Sequence, residues 1–196
     1  MKDYPQALEF IRQAEEVDPA YVLTKLSLAE VYLRLERFAE AGRYAQALLD
    51  SGPQHTFFPI DQLDLNYSAR LLRAQAHQAL GEWAQAEAAY LQAYQVQVPR
   101  RSEALGSLSQ LLKQLGQKDR ALQILEQALQ VDPEHLQHLF NIGVLHLEEG
   151  RLREARETFG AVLAREPGHG PSLLNLGFIA KSQGEIAEAE RLYRQV

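Results

Sequence analysis

Cysteine is absent from the 196-residue chain, so it can form no disulfide, no thiolate nucleophile and no cysteine-held metal centre. That composition agrees with a reducing compartment, and we expect a cytoplasmic protein. Cations are in deficit: 20 Lys and Arg face 26 Asp and Glu, for a formal charge of −6. Such a surface has no global field to attract a phosphate backbone, and nucleic acid is not an expected partner. No run approaches the roughly 18 uncharged apolar residues of a membrane span. The N-terminus, Met1-Lys2-Asp3-Tyr4-Pro5, carries an acid and a proline where a signal peptide needs its apolar stretch. Membrane insertion is not expected. Nor is there a Gly-x-Ser-x-Gly elbow or a phosphate-binding loop. We therefore expect neither catalysis nor a cofactor in this chain. Paired acids such as Glu15-Glu16 and Glu148-Glu149 are read as solvated helix surface. What is present suits a folded body: 46% of residues are hydrophobic, and 12 Gly and 8 Pro are too few for a collagenous or disordered chain.

The residues recur. Gly116, Gly150 and Gly184 are spaced by 34, as are Ala121, Ala155 and Ala189, Pro133 and Pro167, and Leu108, Ile142 and Leu176. Tyr4 and Phe38, Ala7 and Ala41, and Pro19 and Pro53 carry the same period in the N-terminal part. A one-residue slip falls at Pro99-Arg100-Arg101, where it lengthens a turn and leaves packed faces unchanged. Each unit reads as two amphipathic helices. Leu139, Ile142, Gly143 and His146 recur at three- and four-residue steps, Gly150 stops that helix, and Ala155, Phe159, Val162 and Leu163 line the next. Pro167 then biases Glu166 away from helix. Small residues stand where two helices press together: Ala29, Ala74, Gly143 and Gly177 on the first, and Ala41, Ala86, Ala121, Ala155 and Ala189 on the second. The pattern predicts an all-α protein of antiparallel helix pairs, about eleven helices in all.

Gly143, Gly150, Ala155, Phe159 and Pro167 stand at the places where the tetratricopeptide repeat has its small residue, Gly, Ala, aromatic and Pro. The chain resembles that family over essentially its whole length. Leu152 departs from the family's aromatic, which Phe38 and Trp83 supply in their own repeats. The resemblance implies a right-handed α-solenoid forming a single array. A helix at 3–16 comes first, then repeats at 22–55, 67–101, 102–135, 136–169 and 170–196, the last cut short, with an insertion at 56–66. No polar capping helix is visible at either end. Ile186, Ala189, Leu192 and Tyr193 would ordinarily be covered by a following helix, so we expect either a piece of a longer protein or self-association through the uncapped ends.

Two adjacent aromatics, Phe57 and Phe58, together with Ile60, Leu63 and Leu65 make the insertion too apolar for a solvated linker. It reads as a plug over the seam between neighbouring repeats or as a lid on the groove. With the following Leu71-Leu72-Arg73-Ala74-Gln75-Ala76 and Leu80-Gly81-Glu82-Trp83, it is similar to a segment of bacterial proteins in which tetratricopeptide repeats follow a family-2 glycosyltransferase domain. That likeness implies a second reading, in which the chain is the non-catalytic tail of such an enzyme and positions an acceptor or mediates assembly.

The family resemblance also implies where a partner would lie. First helices line the concave face, and their contact positions fall on Leu26, Glu30, Leu33 and Arg34, then on Leu71, Gln75 and Gln78. They continue as Gln110, Lys113 and Gln114, then Phe140, Val144 and Leu147, and end at Leu174, Phe178 and Lys181. The expected function is to hold a protein or peptide segment in this groove. The family's clamp for a C-terminal carboxylate is not matched: Asn141 and Asn175 occupy sixth positions, but the flanking positions, Gly106 and Gln110 before Asn141 and Pro171 and Asn175 after it, hold no cation. His135 and His138 are one turn apart but lack further ligands, so no metal site is expected.

Overall fold

A computed structural model describes residues 4–51 and 61–196. Among them run eleven α-helices and no strand. They are α1 (Tyr4–Val17), α2 (Val22–Arg34), α3 (Phe38–Asp50), α4 (Gln62–Ala79), α5 (Trp83–Tyr94), α6 (Ser102–Gln114), α7 (Lys118–Val131), α8 (Leu136–Glu148), α9 (Leu152–Arg165), α10 (Gly170–Ser182) and α11 (Ile186–Tyr193). A 3-10 turn at Pro99–Arg101 takes up the one-residue slip before α6.

One backbone device joins the two helices of each repeat. The residue just past the turn donates its N–H five residues back into the first helix: Arg37 to the carbonyl of Tyr32, Glu82 to His77, Gln117 to Leu112, Arg151 to His146 and Glu185 to Ala180, at 2.8–2.9 Å. This bond satisfies a carbonyl the helix end would otherwise leave open, and it needs a left-handed residue just before the donor. Gly81, Gly116, Gly150 and Gly184 take that place at φ of 76°, 75°, 73° and 81°. In the repeat from 22 the residue is Glu36, at φ 58° and with a Cβ to accommodate. The same donors then open the second helix, their carbonyls accepting from Ala41, Ala86, Ala121, Ala155 and Ala189. All five alanines are at most 3% exposed. Between repeats, Asp132 and Glu166 are pulled to extended backbone by the prolines after them, with φ of −135° and −131°.

Helix α4 corrects the expected insertion. It starts at Gln62, five residues earlier than the period places it, because the Asp61 carboxylate accepts from the backbone N–H of Leu63 at 2.8 Å and Asp64 at 3.3 Å. An aspartate that caps the first turn starts a helix wherever the chain after it can follow. Leu65 packs with Val22, Leu48 and Ala69, whereas Leu63 is half exposed. Phe57, Phe58 and Ile60, which suggested a plug or a lid, lie outside the described residues.

The chain divides into two compact units, Met1–Leu111 and Leu112–Val196, where the sequence suggested a single array. In the first, α1 packs on α2, α2 on α3, α3 on α4 and α4 on α5. Its core is a series of small clusters, such as Leu28, Tyr32, Ala41 and Ala76, or Tyr67, Ala93, Val98 and Ala104. Small clusters in succession are what a repeat stack produces, since each pair buries its face only on its neighbours. Polar ties run along the same stack. Tyr32 accepts from the Arg12 guanidinium at 2.7 Å, Arg73 donates to Gln46 at 2.7 Å, and Tyr67 donates to the carbonyl of Arg100 at 3.1 Å. In the second unit α7 packs on α8, α8 on α9, α9 on α10 and α10 on α11. One larger cluster joins Ala155, Phe159, Leu173, Leu176, Ile179, Ala180, Ala189 and Leu192. This corrects the expectation that the inner residues of α11 lie bare. Ala189 and Leu192 are 3% and 6% exposed, covered by α9 and α10 of their own unit, while Ile186 remains 55% exposed.

Candidate interaction surface

In the first unit the apolar positions expected to meet a partner pack on the core. Leu26 leans on the cluster of Val22, Leu48, Leu65 and Ala69, Leu33 on that of Leu28 and Tyr32, and Leu71 on that of Tyr67 and Val98, so each is half-buried. Glu30 and Arg34 are exposed, one turn apart on α2. The structure brings Glu30, Leu33, Arg34 and Gln75 together around a cleft of about 350 Å³, whose other walls are Tyr4, Val31 and Leu72. Tyr4 was not anticipated there, because the repeat spacing aligned it with Phe38 at the start of a second helix, away from the contact positions of the first helices. Gln78 differs from expectation: its amide oxygen accepts from the Tyr90 hydroxyl at 2.7 Å, which ties it to its own repeat. Gln110 is exposed.

In the second unit Lys113 is not a free cation. Its ammonium lies 2.6 Å from one oxygen of Glu148, and Lys118 lies 3.3 Å from the other. Burial opposes ionisation of Glu148, but the two lysines outweigh it and hold its pKa below the usual carboxylate value. Gln114 is exposed and engaged in its surroundings. Phe140 also departs from the expectation of a bare groove aromatic. Its ring packs 5.7 Å from that of Phe159 and meets the His169 ring edge-on at 5.2 Å. Val144 and Leu147 pack beside it on the same core cluster. Leu174 and Phe178 are different. They are 48% and 56% exposed, four residues apart on α10. Lys181, three residues on, is exposed as well, so the three share one face of the helix.

The histidines of the second unit act in the framework. His169 caps α10: its Nδ1 accepts from the Ser172 N–H at 3.3 Å and from the Ser172 hydroxyl at 2.8 Å. His135 opens α8 and stacks on His138 with ring centroids 3.7 Å apart, and His138 is 2% exposed. His146 is half-buried, and burial, reinforced by the Arg151 charge, lowers its pKa. Among the described residues no three His, Asp or Glu side chains gather as a metal site. No described helix is long and apolar enough to cross a membrane.

Family models described as tetratricopeptide repeat match residues 1–56 and 107–169, residues 67–134, and residues 146–196. No curated protein matches the chain. Among solved structures the chain is similar to PilW, described as a widely conserved type IV pilus biogenesis factor. The identity is 22%, over 99% of this chain and 84% of that one, with a TM-score of 0.74. It is also similar to pilF of Pseudomonas aeruginosa, at 20% identity over 97% and 81% with a TM-score of 0.74. A third is YrrB, described as a TPR protein with an unusual peptide-binding site, at 18% identity over 94% and 89% with a TM-score of 0.60. At these identities the likeness is one of fold. With one family model alone spanning more than half of its length, and the capped helix pairs seen in all five repeats, the chain belongs to the tetratricopeptide repeat family.

Proposed function

We propose that this chain holds a partner segment on the exposed face of α10 in its second unit, with the Leu174 and Phe178 strip as the anchor. The family fold is a scaffold for protein interaction, and the observation that supports this anchor is the exposed pair Leu174 and Phe178. Inward residues of the same helix, Leu173, Leu176, Ile179 and Ala180, are already buried, so the exposed pair is surplus to the core. Covering the exposed part of two such side chains contributes roughly 1–3 kcal/mol, enough to anchor a segment whose other contacts are polar. The description of YrrB as having a peptide-binding site supports a peptide-like occupant on this fold. The cleft around Glu30 and Arg34 is a separate polar recess in the first unit. No observation favours the glycosyltransferase-tail reading over this one.

Selection from a random peptide display library on the immobilised protein tests the reading. Sequences recovered on the wild type are expected to lose binding to a Leu174→Ser, Phe178→Ser double variant whose circular dichroism is unchanged. Recovered peptides that bind both proteins equally would place the interaction elsewhere.

A further inference from the structure

The cations of the second unit are almost entirely paired with acids of the same unit. Lys113 and Lys118 share Glu148, Arg151 meets Glu149, Arg156 meets Glu185 and Arg165 meets Glu134, with local pairs for Arg153, Arg191 and Arg194. Arg120 is bonded to Gln117. Among the described residues of this unit, Lys181 is the one cation that takes part in no ion pair or hydrogen bond. It sits at the end of the exposed apolar strip, on the same helical face as Leu174 and Phe178.

From this juxtaposition we infer that the segment bound on α10 is extended, with two apolar side chains at alternate positions and an acidic side chain two residues further on, set against Lys181. The inference rests on the proposed binding face and adds the chemistry of its occupant. Spacing supports it. Four residues of helix advance about 6 Å, close to the roughly 6.8 Å between alternate residues of an extended chain, so Leu174 and Phe178 meet successive side chains on one side of the segment. Lys181 lies about 4.5 Å further along the axis, and its flexible stem spans the remainder. The amide of Asn175 beside the strip favours an extended backbone over a helix. Asn175, on α10 itself, commits its amide N–H to the Pro171 carbonyl and presents its side-chain oxygen as an acceptor. A helix satisfies its own backbone groups, whereas an extended segment needs such acceptors. The acid belongs to a side chain and not to a chain terminus. A terminal carboxylate is held by several donors converging on it, and Lys181 is a single mobile charge.

The test is a titration of isotope-labelled full chain, followed by the resonances of α10. The probe is an acetylated and amidated seven-residue peptide with leucine at its second and fourth positions, glutamate at its sixth and serine elsewhere. A second peptide carries glutamine at the sixth position. A third ends after the fifth residue in a free carboxylate. The glutamate peptide is expected to bind the wild type about two- to fivefold more tightly than the glutamine peptide at low salt, the range of a single exposed ion pair. That preference is expected to vanish in Lys181→Gln and to invert in Lys181→Glu, and Phe178→Ser is expected to weaken all peptides alike. Equal binding of the glutamate and glutamine peptides overturns the inference while leaving the binding face intact. Tighter binding of the free-carboxylate peptide overturns it in favour of terminal capture. If no peptide shifts the α10 resonances, the binding face itself falls, and this inference falls with it.

Discussion

Replacing Gly143 by alanine sets two effects of opposite sign against each other. Alanine is the better helix former by about 1 kcal/mol, so in open space the change stabilises. At Gly143 the space is not open. A Cβ built there lies 2.7 Å from Cε1, 2.9 Å from Cδ1 and 3.0 Å from Cζ of Phe159. Real Cβ atoms do not approach a ring that closely, so something must give. Phe159 is fully buried, in a cluster with Ala155, Leu173 and Leu176, and it also packs on Phe140. Overpacking of this kind costs about 1–3 kcal/mol, which exceeds the propensity gain, and Gly143→Ala is expected to destabilise by about 1 kcal/mol net. Two other glycines serve as controls. A methyl group added at Gly160, on α9, would meet nothing within 4 Å, and Gly160→Ala is expected to stabilise by about 1 kcal/mol. Gly177 meets Tyr193 more closely still, with Cε1 nearest and Cδ1 and Cζ both 2.8 Å away, but Tyr193 is 39% exposed and free to swing outward. Gly177→Ala is therefore expected to fall between the other two. Urea unfolding monitored by circular dichroism gives the three midpoints, and Phe159→Leu in the Gly143→Ala background is expected to recover part of the loss. A Gly143→Ala variant as stable as Gly160→Ala would refute the close helix pairing on which the fold rests.

Three further outcomes are expected. Glu36 holds a left-handed backbone that glycine adopts without strain, so Glu36→Gly is expected to stabilise by roughly 0.5–1 kcal/mol and Gly150→Ala to destabilise by a similar amount, read from thermal midpoints. Burial and Arg151 lower the pKa of His146, so below about pH 6.5 the unfolded chain takes a proton that the folded chain refuses. The contribution of His146 is therefore complete above that pH and is lost as the pH falls toward the folded value. His146→Phe is expected to flatten the acid side of the stability profile, and an unchanged slope would contradict the assignment. Ile186 and Tyr193 leave an exposed apolar face on α11, and sedimentation velocity at rising concentration is expected to show association that Ile186→Ser reduces. A monomer at every concentration would count against it.

The sequence determined the helix pairs and their junctions, because those depend on local chemistry. Gly150 supplies a left-handed residue, Pro167 turns the residue before it extended, and Ala155 leaves room at the first turn, each acting within a few residues of itself. Repetition then multiplied a weak local signal into a strong one. Asp61 was a legible signal as well, since an aspartate ahead of Leu63 and Leu65 is a helix start, but the period of the repeat masked it. The surface is where the chain alone fell short. Phe140, Phe178, Lys113 and Lys181 all occupy contact positions of the family pattern, yet Phe140 is drawn into the core by Phe159 and His169, and Lys113 is taken by Glu148. Phe178 and Lys181 stay exposed among the described residues. Which member of a repeated position is used in packing and which stays exposed depends on side chains brought close from elsewhere in the chain, and only the tertiary structure decides it.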